Sequence, residues 1–266
     1  MKRSICLVVV FLLAQFFSAF FMTFCVNIPH LLNKGELDLN ALVNSPTALA
    51  FSMILSAVLS VGTMWIFKWL DGRSLRNIRL AAPVYAGSLL LMVPAIFIVN
   101  VMTEMLALED MNEAMFQQLM TNFWGVLAIV FIGPLSEEFV FRMGIQHHLM
   151  RRHYSPYLSI LIASLVFGVI HGNPAQIPGA VLLGAVLGWL YWRSGSIWLS
   201  VIAHAFNNLI GVLFAWIPGG DELTWSGLCG GTWGMIVALI LAVLLFVVCY
   251  KFIDRMFPVR KDYRPR

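Results

Sequence analysis

Apolar residues in this chain gather in long stretches separated by short polar breaks. Stretches near 5–28, 47–70 and 83–103 are each long enough to cross a bilayer as a helix. A fourth runs from about 121 to 147 and is interrupted by Gly133-Pro134. Four more lie near 156–171, 176–193, 197–217 and 232–253, the fifth and sixth short and bordering each other around His171-Gly172-Asn173-Pro174. The pattern predicts an all-α, polytopic membrane protein of about eight transmembrane helices.

The breaks carry a second pattern. Lys2 and Arg3 precede the first stretch, Lys68, Arg73, Arg76 and Arg79 separate the second from the third, and Arg151 and Arg152 follow the fourth. Arg193 separates the sixth from the seventh, and Lys251, Arg255, Arg260, Lys261, Arg264 and Arg266 close the chain. The alternate breaks hold Glu104, Glu109, Asp110 and Glu113, then Asp221 and Glu222, with Lys34 their single lysine or arginine. Basic residues favour the cytoplasmic side, so both termini are expected in the cytoplasm and an even number of spans follows. Residues 104–120 are polar enough for a surface helix or loop outside.

Composition agrees. Of 266 residues, 60% are hydrophobic and only 11% charged, with a mean hydropathy of +0.85, against roughly half and a quarter in soluble domains. The net charge of +4 is spread over short breaks, which bears on topology and gives no footprint for nucleic acid. Four cysteines, three of them in apolar runs, make no disulfide framework. The first apolar run is longer than the core of a signal peptide and lacks a small-residue cleavage site, so a retained span is expected. Ala180, Gly184 and Gly188 form a small-residue face that lets a neighbouring helix approach. No linker or low-complexity tract appears, and residues 1–266 are expected to form a single integral-membrane domain.

Against this background the polar residues inside the stretches are conspicuous. Ser136-Glu137-Glu138-Phe139-Val140-Phe141-Arg142 places two carboxylates and a guanidinium in the fourth. Charged groups in hydrocarbon are costly and usually mark a function; the structural alternative is a buried ion pair at a helix end. On a helix Glu138 and Arg142 share a face, while Glu137 lies about 100° round. His171 ends the fifth stretch, and His204 and Asn208 share a face of the seventh. Singly, such residues serve as hydrogen-bonding glue between helices. Together they suit chemistry: a carboxylate and a histidine can hold and deprotonate a water, and a histidine with an asparagine can stabilise an oxyanion. Ser136 has no histidine beside it and is a weak candidate nucleophile. Glu137, His171 and His204 could ligate zinc, but no H-E-x-x-H motif supports that and no cofactor is expected.

The ordered set Glu137-Glu138-x-x-x-Arg142, Phe167-x-x-x-His171 and His204-x-x-x-Asn208 resembles the CPBP family, the CAAX proteases and bacteriocin-processing enzymes, also called the ABI family. Its best-known branch is the type II CAAX prenyl endopeptidase. Arg193-Ser194-Gly195-Ser196-Ile197-Trp198 is similar to the usual lead-in to the last motif. The resemblance covers about 134–210, within a catalytic core expected at about 121–217. It implies a metal-free intramembrane endopeptidase that cleaves a membrane-associated protein or peptide, and the short breaks and compact tails point to a prokaryotic cell membrane. In that scheme Glu137 is the general base, His171 helps hold the water, His204 and Asn208 stabilise the oxyanion, and Glu138 with Arg142 orients the site. Two other readings stay open. In one the polar set only holds helices together in a bacteriocin self-immunity protein or a scaffold. In the other Glu137 and Glu138 relay protons in a transporter, although the paired repeats of transporters are not found.

Overall fold

The computed structural model describes residues 2–34, 36–38, 40–217 and 224–257. Asp221, Glu222, Arg260, Lys261, Arg264 and Arg266, which entered the charge pattern, lie outside them. All eight apolar stretches are helical: α1 (Lys2–Lys34), α2 (Pro46–Ile66), α3 (Ala82–Leu106), α4 (Phe123–Arg151), α5 (Pro156–Ile170), α6 (Ile177–Ser194), α7 (Ile197–Ala215) and α8 (Thr232–Met256). No strand occurs among the described residues. The protein is therefore an all-α, multi-pass membrane protein.

Six of these helices are long and apolar enough to cross a bilayer. The other two are α5, with 15 residues, and α6, with 18. At 1.5 Å per residue α5 is short of the roughly 30 Å hydrocarbon thickness. The short fifth and sixth stretches are thus short helices, packed closely against each other.

Local chemistry sets the boundaries. Ser45 and Ser155 accept hydrogen bonds from the backbone N–H of Ala48 and Leu158, each just before a proline in the first turn. At the other end of α6, Gly195 adopts φ +67 and closes the helix in the left-handed conformation that glycine tolerates. Short helices fill the breaks: Gly72–Arg76 is capped by Asp71 and Trp225–Leu228 by Thr224, and Glu113–Leu119 lies in the acidic segment as anticipated.

α4 runs through the middle, touching α1, α2, α5, α6 and α7, while α8 packs along α3 at the periphery. Residues 139–146 of α4 are all buried. The outer helices expose large apolar side chains, such as Phe16 and Phe20 of α1 and Trp233 and Val237 of α8, as a lipid-facing surface requires. The small-residue face meets α5 and α4: a Cβ at Gly184 would lie 3.2 Å from the Phe167 ring of α5, and one at Gly188 would lie 3.2 Å from Ile160 Cγ2 of α5 and 2.7 Å from Gln146 Oε1 of α4. The approach is tightest from the α5 side, where a Cβ at Gly168 would lie 2.3 Å from Val181 Cγ2 and 3.0 Å from the Ile177 carbonyl.

The breaks interlock at two ends. At one, Arg3 donates to the Trp69 carbonyl, Asn77 to that of Ser194 and Trp198 to that of Leu75, and Arg193 pairs with Asp254 at 2.6 Å. Burial pushes the Asp71 carboxyl up there, but the His147 charge and hydrogen bonds from Ser74 and Arg73 outweigh it and hold the group below its ordinary range. At the other end Glu104 accepts from the amides of Trp225 and Ser226, and Asn173 donates to Asp110 at 2.6 Å. Tryptophans divide between roles. Trp216 and Trp233 are exposed, as headgroup anchors would be, whereas Trp189 is buried against Tyr250 and Phe257.

Two outcomes follow. Reporter fusions after Met256 and at Asn112 should report opposite sides of the membrane, with the Met256 fusion in the cytoplasm; signals from one side would overturn the topology. Gly168→Ala should lower thermal stability in detergent by about 1–3 kcal/mol, the usual cost of overpacking a tight contact.

Candidate active site

α4 is not a uniform α-helix. Phe123–Leu127, Gly133–Glu138 and His147–Arg151 are α-helical, but Ala128–Ile132 and Phe139–Gln146 are π-helical. Such widened turns are rare and frequently sit at functional sites. The first has a cause in the sequence. Pro134 has no backbone N–H, and the Gly133 N–H bonds to the Ala128 carbonyl. Neither residue is left to donate to the carbonyl of Ile129. Asn208 of α7 supplies the missing hydrogen bond, donating from Nδ2 to Ile129 O at 2.8 Å.

Between the two π-helical turns, Gly133–Glu138 presents Glu137 and Glu138 on adjacent faces. Glu138 and Arg142 have side chains of 0% exposure and an Nε–Oε2 separation of 3.1 Å. That pair is close but off-line for a hydrogen bond, since both atoms lack a well-aligned partner. The expected ion pair is therefore present and fully enclosed. The other oxygen of Glu138 lies 3.0 Å from His204 Nδ1. An ionised carboxylate only accepts, so Nδ1 carries the hydrogen and Nε2 faces the remaining chemistry. Glu137 is more open, with 24% side-chain exposure, and its Oε2 is 3.8 Å from His204 Nε2. His204 thus stands between the two glutamates.

His171 caps the end of α5, where its Nδ1 is 2.7 Å from the carbonyl of Phe167. A carbonyl only accepts, so Nδ1 donates and Nε2 keeps its lone pair in the neutral ring. The Phe167 ring connects His171 to the rest. Ring centroids are 4.8 Å apart for Phe167 and His171 and 5.7 Å for Phe167 and His204, and the Arg142 guanidinium lies 4.9 Å above the Phe167 ring. The structure therefore brings Glu137, Glu138, Arg142 and His204 into direct contact. It joins His171 to them through an aromatic face and sets Asn208 one turn beyond His204 on α7.

Sequence reasoning gave no role to Phe167, Asn207 or Asn173. Phe167 is signalled by its i, i+4 relation to His171. Asn207 donates to the side-chain oxygen of Asn208 at 3.0 Å and so fixes which way that amide points. Asn173, two residues past His171 and 0% exposed, accepts from the Met111 amide and donates to Asp110. It thereby ties the turn after His171 to the break before α4. Ser136 donates its hydroxyl to the Gly133 carbonyl, a local helix bond. Of the three residues considered for zinc, Glu137 and His204 face each other and His171 stands apart behind the Phe167 ring; no group of three His, Cys, Asp or Glu side chains among the described residues is arranged as a metal site.

Residues 119–210 match the model of the family described as type II CAAX prenyl endopeptidase Rce1-like. All six charged or polar site residues fall inside that segment. A curated relative, "Putative membrane peptidase YdiL" of Bacillus subtilis (strain 168), is 29% identical over 87 residues, which is 33% of this chain and 35% of the relative. The chain thus matches about a third of that relative's length. No solved structure matches. Residues 119–210, which α4 to α7 largely frame, are thus similar to the family that the motifs resemble.

Removing one member of a buried ion pair leaves the other uncompensated, at about 3–5 kcal/mol. Glu138→Ala should therefore lower the thermal stability of the detergent-solubilised protein by several degrees, and Glu138→Ala with Arg142→Met should recover part of the loss. A single variant as stable as wild type would show the pair to be dispensable.

Proposed function

We propose that the protein is an intramembrane endopeptidase that hydrolyses a peptide bond in a membrane-associated protein or peptide. The observation that carries this reading is the contact of His204 with both adjacent glutamates inside the helix bundle, in a segment similar to CAAX endopeptidases.

Glu137 is the more accessible carboxylate, and it accepts the proton of a water as the water oxygen attacks the scissile carbonyl carbon. His171 supports it by accepting a hydrogen bond at Nε2. The carbonyl oxygen gains negative charge and is met by N–H groups of His204 Nε2 and Asn208 Nδ2. For both His204 nitrogens to donate, the ring must be an imidazolium, and the flanking carboxylates supply its counter-charge. The C–N bond then breaks. The leaving amine takes the proton from Glu137, and the new carboxyl group departs with the water oxygen. Glu138 and Arg142 act through His204 and the Phe167 ring rather than on the substrate.

The bacteriocin-immunity or scaffold reading keeps one observation in its favour: Asn208 satisfies an otherwise orphaned carbonyl, a structural task. The two readings part at Glu137. Glu137→Gln keeps shape and hydrogen bonding but removes the base, so cleavage of a membrane-peptide library should fall about 10²–10⁴-fold while thermal stability stays near wild type. Unchanged turnover would sink the water-activation scheme. Loss of wild-type activity with chelator and recovery with zinc would make Glu137 a metal ligand instead.

A further inference from the structure

A groove of about 350 Å³ lies between α1, the end of α4 and α5, within the about 300–1,000 Å³ of small-molecule sites. Ile5 and Val8 of α1, Leu149 of α4, Tyr154 of the following turn, and Ile162 and Val166 of α5 line it. Its wall is almost wholly apolar, and Ile5 is 58% exposed, so it opens on the lipid-facing side of the bundle. Leu149 is eleven residues beyond Glu138 on α4, while Val166 of the wall is the sequence neighbour of Phe167.

Its rim is basic. Arg3 precedes the lining residues of α1, and Arg151 and Arg152, both exposed, follow Leu149. The three charges are close enough that all act on His148, and Arg151 acts on Arg3. None of the three arginines forms an ion pair among the described residues. Arg3 is anchored by its hydrogen bond to the Trp69 carbonyl and by the Trp69 ring, 5.4 Å away. One polar atom of the wall, Ser4 Oγ, is buried without a partner. Buried donors of this kind are costly unless something meets them.

We propose that this groove binds an anionic phospholipid, with one acyl chain between α1 and α5 and its phosphate on Arg3, Arg151 and Arg152. The occupant follows from the combination. An apolar trough that opens to hydrocarbon is filled by a chain, and a cluster of like charges at its mouth is relieved by a phosphate; basic pockets between membrane helices take anionic headgroups for the same reason. A zwitterionic lipid brings its own cation to a rim that is already basic, and a soluble anion would leave the groove empty.

The test is native mass spectrometry of the full chain in detergent, with phosphatidylglycerol or phosphatidylcholine of identical acyl chains, alongside thermal unfolding. Wild type should retain one phosphatidylglycerol in preference to phosphatidylcholine and should unfold at a higher temperature with it. Arg151→Gln with Arg152→Gln should cut that preference by at least roughly tenfold. Val8→Trp, which fills the trough and leaves the arginines in place, should abolish retention. Ile5→Trp, at an exposed position, covers the mouth and serves if Val8→Trp folds poorly. Equal retention of the two lipids by wild type would overturn the proposal. So would retention that ignores both tryptophans, which means surface charge alone, or a wild-type dimer that the tryptophans dissociate, which means a second copy covers the groove.

Discussion

A carboxylate sealed from water must be matched inside the protein, and Glu138 is matched twice. One oxygen faces Arg142 a turn further along its own helix, and the other faces His204 on α7. With both acidic and basic side chains fully enclosed, neither can be left without the other. The arginine in turn lies over Phe167, which carries His171 at the next turn of α5. One desolvated charge thus fixes the mutual placement of three helices, and Glu137 is left at the edge of that arrangement with its carboxylate partly open.

The close packing of α5 on α6 serves the same end. Phe167 can reach Arg142 and both histidines because the helix behind it presents glycine where it approaches. A larger face on α6 would push α5 outward and carry His171 with it. Further out, α1 and α8 contribute much of the lipid-facing surface, and charged side chains appear mainly where their ends meet the breaks. The matched family segment ends at residue 210, before α8 begins, and starts only at residue 119.

Much of this was legible in the sequence. The helices follow from runs of apolar residues, since a backbone in hydrocarbon must satisfy its own hydrogen bonds. Glu138 with Arg142 follows from a four-residue spacing, and the special standing of His171, His204 and Asn208 from their rarity in apolar surroundings. Legibility ended where partners came from other elements. Nothing in the spacing of the motifs places His204 against both glutamates, because that contact joins residues 66 positions apart. The π-helical turns were hidden for another reason. Spacing arguments assume a regular i→i+4 ladder, and the Gly133-Pro134 interruption marks a break in that ladder without saying how it is resolved. Trp189 illustrates a third limit, since composition alone cannot tell an interfacial tryptophan from one buried among aromatic rings.

The orphaned carbonyl of Ile129 ties two distant positions into one unit of inheritance. Proline at 134 creates a debt of one hydrogen bond, and asparagine at 208 settles it across the helix interface. A lineage that replaced Pro134 by a residue with an amide hydrogen would free Asn208 from this duty, and loss of Asn208 first would expose the defect. The order of substitution is therefore constrained: 134 can drift before 208, but not after it. A chain that kept asparagine without the proline would be keeping it for chemistry alone.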